Sequence, residues 1–358
     1  MQPEQRSALL AAKLRAVVAQ AWRRDASGLE PRLFPAGAAL ADPSTGTGWV
    51  LVDVPSVERD PLDLDPVAVE LPRGWLGGSI SWGMRHDLAT VHIVTDHATA
   101  DDARRAAWFR DPPSVWRVHG REAVRVVPLP FQPPAPPDAA SELFREVIEA
   151  AGAEAVVEAG TMRAEVLGLE VARVMRDVDG VAQLAVGVGR HDRLAQAMLY
   201  GTDDVDVSLR TAVASVLDHR HGSAGSHPAN QLAAQRWLRV VLVKNPHLAG
   251  ARALRPVTGT VEPRLKRHTP AMAVGTRHDG SPVVVAATVG VDLDALSDAA
   301  DARAVHAEPT TPLVLVLPDG DDLDAIHRLA ARLASPATIV TVPRDWRSVP
   351  TGPVRAGQ

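Results

Sequence analysis

Apolar residues follow helical spacing in some parts of the chain and form short continuous runs in others. Over residues 5–24 they recur at helical spacing and predict a helix. Apolar runs at 37–41 and 49–53 flank a Pro-Ser-Thr-Gly turn and predict two paired strands. The pattern then predicts a helix, a strand, a helix and a strand, at 74–86, 89–95, 99–109 and 114–119. Thr99 and Asp102 have the spacing of a capping box that would open the second of these helices.

The same order of elements returns near the end of the chain. A strongly apolar helix is predicted over 229–244, and Asp279-Gly280 is typical of a hairpin turn. A helix, a strand, a helix and a strand follow at 293–306, 312–317, 321–334 and 337–342. Strands that are connected through helices pair in parallel, whereas hairpin strands pair antiparallel. Each part of the chain therefore predicts a module with a mixed sheet.

Identical residues recur between the two parts at one constant offset. The pairs are Asp96 and Asp319, Arg105 and Arg328, and Pro113 and Pro336. Duplication of a single module accounts for this recurrence. The predicted fold class is therefore α/β, with duplicated mixed-sheet modules of the order helix, hairpin, helix, strand, helix, strand.

A proline-rich stretch at 128–137 separates the first module from the rest of the chain. Prolines at this density exclude a helix or an inner strand and predict a stiff linker. After the linker, the pattern predicts a helix over 139–151, extended chain over 153–175 and a hairpin turn at Asp179-Gly180. The predicted organisation is an N-terminal α/β module, the linker, a middle helix-hairpin segment, a C-terminal α/β module and a disordered tail, at 1–127, 128–137, 138–228, 229–346 and 347–358.

Composition narrows the classes of function. The 358 residues contain no cysteine, which excludes disulfides, cysteine zinc sites and thiol catalysis. The formal net charge of −5 is unlike that of a protein that binds nucleic acid over a broadly basic surface. No apolar run is long enough to span a membrane, so no membrane partner is expected and a cytoplasmic location is predicted.

Residues 91–120 resemble part of a known family. They are similar to the closing strand-helix-strand of Mrr-type domains in the restriction-endonuclease-like, or PD-(D/E)XK, superfamily. The resemblance rests on Val91-His92-Ile93-Val94-Thr95-Asp96, Ala103-Arg104-Arg105-Ala106-Ala107 and Val115-Trp116-Arg117-Val118-His119-Gly120. It implies a restriction-endonuclease-like fold and a role in DNA repair or defence. In that family an acidic residue on one hairpin strand and an acid-x-lysine on the next hold a divalent metal, which orients and activates water.

The chain departs from the family at this motif. None of the second hairpin strands contains acid-x-lysine, since they read Val50-Leu51-Val52, Leu184-Ala185-Val186-Gly187-Val188 and Val283-Val284-Val285-Ala286-Ala287. Lysine occurs only at Lys13, Lys244 and Lys266, none of which lies on a predicted hairpin strand. The resemblance therefore implies a degenerate or atypical nuclease-like site, or a DNA-associated role that outlived catalysis.

The best candidate site lies on the middle segment. Glu165, Glu170 and Asp192 are the predicted metal ligands, and together with His191 they are the predicted catalytic residues. Carboxylate oxygens are the hard ligands that Mg²⁺ prefers, so Mg²⁺ is the cofactor that such a site would take. On one regular strand Glu165 and Glu170 face opposite sides unless a bulge at Gly168 shifts them. The alternative interpretation is a solvated strand face whose charges protect the sheet edge.

Basic residues after the same hairpin, on the helix over 229–244 and in a dense run beyond it could contact phosphates. The predicted nucleic-acid-binding residues are Arg190, Arg236, Arg239, Lys244, Arg264, Lys266 and Arg267. The alternative interpretation is that the dense run is an ordinary solvated loop.

Two further clusters predict structure more than chemistry. The stretch Gly74-Trp75-Leu76-Gly77-Gly78 is rich in glycine but lacks the Gly-x-Gly-x-x-Gly order of a nucleotide-binding loop. A row of acidic residues resembles a metal site in its composition. Acidic residues in the first turns of a helix, however, cap and solvate it, and a helix is predicted to begin near Leu293. These acids are Asp292, Asp294, Asp298 and Asp301.

Three functions follow from these observations. The leading prediction is a nucleic-acid-associated protein with a degenerate or atypical nuclease-like metal site, which would act in DNA repair or defence. The first alternative is a non-catalytic scaffold or protein-interaction protein, whose partner would be another protein. The second alternative is a small-molecule phosphate enzyme on a Rossmann-like fold, although the chain has no phosphate-loop motif. Carboxylates that converge in one pocket beside basic residues would favour the leading prediction.

Overall fold

The computed structural model describes residues 3–54, 71–189, 192–193, 205–220, 230–262 and 268–351. Within these ranges the chain forms nine α-helices and fifteen strands, and the strands make sheets of six, four and five strands. The chain divides into two compact units. The first unit is Met1–Phe131 with Asp292–Ser297 and Asp324–Pro336, and the second unit is Gln132–Val291 with Asp298–Leu323 and Ala337–Gln358.

The first unit contains the six-stranded sheet. Its main segment forms α1 (Pro3–Ala21), β1 (Pro31–Phe34), β2 (Gly37–Asp42), β3 (Thr47–Val52), α2 (Trp75–Arg85), β4 (Thr90–Thr95), α3 (Ala100–Ala106), β5 (Ser114–His119) and β6 (Glu122–Arg125). The strands lie in the sheet in the order of the sequence. β1, β2 and β3 pair antiparallel, β3, β4 and β5 pair parallel, and β6 pairs antiparallel with β5. The parallel pairs are those whose strands are joined through a helix.

Helix α1 covers one face of this sheet. Leu14, Val17 and Val18 lie at helical spacing, are fully buried and share a core with Leu40 and Leu51 of the sheet. Burying an aliphatic side chain of this size stabilises the fold by roughly 1.5–3 kcal/mol. The apolar stripe predicted at the start of the chain is therefore what holds α1 on the sheet.

Helix α3 begins at its predicted capping box. The Thr99 hydroxyl accepts a hydrogen bond from the backbone N–H of Asp102 at 3.3 Å, and the Asp102 carboxylate accepts one from the N–H of Thr99 at 2.8 Å. The helix ends at Ala106, earlier than its predicted end at Phe109. Phe109 instead forms an antiparallel bridge with Leu333, which belongs to the same unit.

The elements that follow Gln132 in the chain are mostly those of the second unit. They are α4 (Ala139–Glu142), α5 (Phe144–Ala150), β7 (Glu154–Glu158), β8 (Thr161–Val166), β9 (Leu169–Arg176), β10 (Ala182–Val186), α6 (Val205–His219), α7 (Ala234–Lys244), β11 (Ala253–Val257), β12 (Ala271–Thr276), β13 (Pro282–Ala287), α8 (Ala295–His306), β14 (Leu313–Pro318), α9 (Asp324–Arg332) and β15 (Ala337–Val342). Helix α9 and the first residues of α8 belong to the first unit.

The two sheets of the second unit differ in their pairing. The four-stranded sheet has the order β10-β9-β8-β7 and is antiparallel throughout. The five-stranded sheet has the order β11 to β15, with β11, β12 and β13 antiparallel and β13, β14 and β15 parallel. The protein is therefore an α/β protein with open sheets, two of them mixed.

Helix α7 is buried from Ala234 to Leu242. On one side, Trp237, Leu238 and Val241 share an apolar core with residues of the five-stranded sheet. Its two internal arginines make ion pairs with the four-stranded sheet. The helix thus contacts both sheets of its unit. It meets the five-stranded sheet through apolar packing and the four-stranded sheet through ion pairs.

Both modules follow the predicted order of elements, with strands added at the sheet edges. β1, β6 and β11 were not predicted, because β1 and β6 have only four residues each and β11 contains Pro256. An edge strand tolerates proline, since the missing N–H can face away from the ladder. The hairpins of the two modules are therefore parts of three-stranded antiparallel units, β1-β2-β3 and β11-β12-β13. The extended stretch 153–175 is likewise divided into β7, β8 and β9.

Residues 128–137 form neither helix nor strand, as their prolines predict. At the C-terminus, regular structure continues past the predicted start of the tail at residue 347, because Trp346–Ser348 form a 3₁₀ turn in which Trp346 is buried. Residues 352–358 lie outside the described residues. Among the helices that the structure describes, none is both long and apolar enough to cross a membrane.

Candidate functional site

The predicted carboxylates are placed by a tight hairpin between β8 and β9. Leu167 and Gly168 form its two-residue turn with φ angles of +47° and +76°, the left-handed pair that such turns require. The turn also lies directly against α7. A Cβ atom on Gly168 would lie 2.4 Å from the carbonyl carbon of Arg236. Glycine at this position therefore sets both the hairpin and the approach of the helix.

Glu165 and Glu170 lie directly opposite each other across this hairpin. Side chains of directly opposed residues project from the same face of a sheet, so the two glutamates share a face. The prediction that they face opposite sides assumed a single strand and is wrong, because the turn reverses the chain between them. The irregularity in pairing lies between Ala164 and Glu165, not at Gly168.

The two arginines of α7 bind the glutamates of this face. Arg236 Nη1 donates to Glu165 Oε1 at 2.9 Å, and Arg239 Nη2 donates to Glu165 Oε2 at 3.1 Å. Arg239 Nη1 also donates to Glu158 Oε1 at 2.6 Å. The side chains of Glu165 and Arg239 are 0% and 2% exposed. Both oxygens of Glu165 are therefore occupied by guanidinium groups in a closed interior.

Glu170 is held by three further arginines. Arg163 Nη1 donates to it at 3.1 Å, Arg173 Nε at 2.6 Å and Arg193 Nη1 at 2.9 Å. We refer to the whole group as the arginine–glutamate cluster, which consists of Glu158, Glu165, Glu170, Arg163, Arg173, Arg193, Arg236 and Arg239. Its five arginines outnumber its three glutamates, so the carboxylates are fully neutralised within it.

The surroundings shift the pKa values of the glutamates in different directions. Burial by itself raises the pKa of Glu170, but hydrogen bonds and positive charge from Arg173 and its neighbours outweigh burial and hold the pKa below its ordinary value. Burial raises the pKa of Glu165 above its ordinary value, and the negative charge of Glu158 adds to this effect against the pull of the arginines.

These contacts do not fit a Mg²⁺ site. Mg²⁺ needs several free oxygen ligands and usually retains water, whereas the oxygens of Glu165 and Glu170 accept hydrogen bonds from arginine. Asp192 is exposed, and its Oδ2 accepts a hydrogen bond from the N–H of Val188 at 2.6 Å. His191 lies outside the described residues. In the described part of the chain, no group of three or more His, Cys, Asp or Glu side chains could hold a metal.

The cluster also has no room for a substrate. A void of about 20 Å³ lies beside Glu158 and Arg236. That volume accommodates about one water molecule. The carboxylates therefore converge beside basic residues, but they do so in closed ion pairs and not in an open pocket.

The predicted nucleic-acid-binding residues are not assembled into one patch. Arg236 and Arg239 are buried in the cluster, because they face the four-stranded sheet and not solvent. Lys244 is half exposed and lies 3.5 Å from Glu154. Arg190, Arg264, Lys266 and Arg267 lie outside the described residues. A surface patch on this helix therefore cannot include its two internal arginines.

The glycine-rich stretch and the row of acids meet in the first unit. The Asp294 carboxylate accepts hydrogen bonds from the N–H groups of Gly74, Leu76 and Gly77 at 2.7, 3.1 and 2.9 Å. The sequence pattern assigned Asp294 to the helix that begins near Leu293, and the structure shows that its carboxylate caps the N-terminus of α2. A Cβ atom on Gly77 would lie 2.2 Å from the carbonyl oxygen of Leu293. The glycine thus permits close packing, and the N–H groups that a phosphate would need are already occupied.

The described residues form a cavity of ligand size that the sequence analysis missed. It has a volume of about 430 Å³ and lies in the first unit, beside one face of α2. Trp75, Ser79 and Trp82 line it and are spaced as residues on one helical face. This spacing is the feature of the sequence that could have indicated a binding cavity. A stripe of large side chains on a helix, however, normally predicts core packing.

Comparison of the chain with protein-family models, with curated proteins and with solved structures finds no match.

Proposed function

We propose that this chain is a non-catalytic interaction protein, built from two modules of restriction-endonuclease-like descent that have lost nuclease chemistry. One observation carries the proposal. Each carboxylate of the arginine–glutamate cluster accepts a hydrogen bond from a buried arginine, and Glu158 Oε2, the one oxygen without such a bond, is closed to solvent, so the cluster offers no set of free oxygens to hold a metal. Arginine keeps its charge at all physiological pH values, so these pairs do not open by titration of the cation.

The topology of the two modules supports their common descent. In each of the two mixed sheets the strands lie in sequence order, and among the first five strands only the second runs antiparallel to the rest. The recurrent residues occupy equivalent places as well. Asp96 and Asp319 directly follow β4 and β14, and Pro113 and Pro336 directly precede β5 and β15.

The strands that would carry the catalytic motif support the loss of chemistry. β3 reads Thr-Gly-Trp-Val-Leu-Val and β13 reads Pro-Val-Val-Val-Ala-Ala. Neither contains an acidic residue or a lysine. Both strands lie inside their sheets with apolar side chains buried, so they serve packing.

The arginine–glutamate cluster has a structural role in this interpretation. Arg236 and Arg239 attach α7 to the four-stranded sheet, while the apolar side of α7 packs with the five-stranded sheet. Buried ion pairs give little net stability relative to apolar residues, but they reject alternative packings that would leave a charge unpaired. The cluster therefore specifies how the two sheets of the second unit come together.

The test is an assay of the full chain with labelled single- and double-stranded DNA and RNA, with and without Mg²⁺ or Mn²⁺, at low and moderate salt. We expect neither cleavage nor a mobility shift. Metal-dependent cleavage that is lost in Glu165→Gln or Glu170→Gln, but kept in the exposed control Glu122→Gln, would overturn the proposal in favour of an atypical nuclease. Salt-sensitive binding without cleavage would replace it with a degenerate nucleic-acid-binding function.

A further inference from the structure

We propose that the cavity beside α2 is a binding site for an organic carboxylate with an apolar body. Its volume of about 430 Å³ falls within the range of small-molecule sites, which is about 300–1,000 Å³. All the described residues that line the cavity belong to the first unit. The site is therefore independent of the arginine–glutamate cluster, which lies in the second unit.

The walls of the cavity are apolar on both sides. One wall is the helical face that carries Trp75 and Trp82. The opposite wall is formed by Phe34 of β1 and by Val50 and Val52 of β3, two side chains from the same face of that strand. Aromatic and branched aliphatic walls favour a ligand body of carbon, either a ring or a chain.

The polar groups of the cavity favour a negative charge. Arg32 and Arg85 line it, both side chains are exposed, and neither has an ion-pair partner among the described residues. Arg73 also lines it but pairs with Asp292. No carboxylate is among the lining residues that the structure describes. A guanidinium group binds a carboxylate through paired hydrogen bonds, so the two exposed arginines are suited to the head of the ligand.

Two polar features beside the cavity do not serve the anion. The indole Nε1 of Trp82 is closed to solvent, so a ligand in the cavity would contact the ring of Trp82 and not its N–H. The N-terminus of α2 does not compete for the anion, since Asp294 already accepts from its N–H groups.

Gly78 offers a way to fill the cavity without disturbing the fold. It lies on the lining face of α2, and a Cβ atom there would meet no atom within 4 Å. Leucine also favours a helix more than glycine does. Gly78→Leu is therefore expected to leave the folded state at least as stable as the wild type and to occupy the space of the ligand.

The experiment titrates the full chain with dodecanoate below its micelle concentration. Binding is followed by tryptophan fluorescence and by displacement of 1-anilinonaphthalene-8-sulfonate. We expect saturable binding at one site, and a loss of affinity of about tenfold or more in the double variant Arg32→Gln/Arg85→Gln. Arg121→Gln, an exposed arginine in the turn between β5 and β6, is the matched control and should bind as the wild type does.

Three results would each overturn the proposal. The first is the absence of saturable binding by the wild type. The second is equal affinity for dodecylamine, which has the same body with a cationic head. The third is unchanged binding by a folded Gly78→Leu variant, whose thermal midpoint verifies its fold. None of these three results changes the outcome expected in the nucleic-acid assay. The proposed binding site and the proposed function can therefore fail separately.

Discussion

At the scale of single residues, the chemistry of Glu165 depends on what surrounds it. A carboxylate on a strand, with other acids nearby, is compatible with metal binding or with a solvated edge. In the folded chain Glu165 is completely buried between Arg236 and Arg239, and both of its oxygens are occupied. Its role is therefore to neutralise, together with Glu158, two cations that the fold has removed from water.

Replacing Glu165 by glutamine tests this role. The neutral amide keeps the shape but leaves buried guanidinium groups without their counter-charge, and breaking a buried pair in this way costs about 3–5 kcal/mol. We expect urea denaturation to show a fall of that size in the free energy of unfolding. Glu142→Gln removes an exposed pair with Arg145 and should change it by less than about 1 kcal/mol. Equal effects of the two substitutions would contradict the structural role.

Glu170 predicts how stability responds to acid. Its pKa lies below the ordinary value of 4.5 in the folded state, so the folded chain binds fewer protons than the unfolded chain. The stabilisation is complete above pH 4.5 and is lost as the pH falls through the lowered folded value. Unfolding measured across this acidic range should therefore show a shallower decline for Glu170→Gln than for the wild type. Parallel declines would show that Glu170 is not ionised in its ion pairs.

At the scale of elements, neighbouring glycines of one helix serve opposite purposes. In α2, Gly77 packs against the backbone of Leu293, whereas Gly78 faces open space. The sequence shows both only as glycines within a helical pattern. Their difference comes from a segment more than two hundred residues away in the chain, which only the folded structure brings beside the helix.

This difference predicts opposite effects of the same substitution. Gly77→Ala forces a Cβ atom to within 2.2 Å of a carbonyl oxygen, so we expect a loss of roughly 1–3 kcal/mol in unfolding free energy. Gly78→Ala meets no atom within 4 Å and should raise stability by up to about 1 kcal/mol, through the higher helix propensity of alanine. Thermal denaturation of the two variants compares them directly. A similar shift in both would mean that Leu293 does not pack on α2.

At the scale of the whole molecule, the arginine–glutamate cluster joins α7 to the four-stranded sheet, while the apolar side of α7 packs with the five-stranded sheet. The hydrogen-bonded pairs that Arg236 and Arg239 make in the cluster connect residues 71 to 81 positions apart, far beyond any local pattern. An apolar interface could hold the same elements together with similar stability, although with fewer constraints on their register.

An apolar replacement of the central pairs tests this interpretation. Simultaneous substitution of Glu158, Glu165, Arg236 and Arg239 by Met, Leu, Met and Met removes both the charges and their desolvation. Replacement of a buried ion network by apolar residues is often neutral or stabilising. We expect the quadruple variant to recover most of the stability that Glu165→Gln loses, as judged by urea denaturation. If the quadruple variant is less stable than Glu165→Gln, the charges contribute more to stability than the apolar packing that replaces them.

The sequence by itself determined the order of the elements, because helical spacing, apolar runs, turns and caps act over a few residues. The capping box at Thr99 and the strand over 337–342 are confirmed for this reason. Short edge strands such as β1 escaped prediction, since four half-exposed residues carry little pattern. Which charges are buried was decided only by the tertiary structure. Arg236 lies on a helix and Glu165 on a distant strand, and the cost of leaving either unpaired in the interior arises only when packing brings them together.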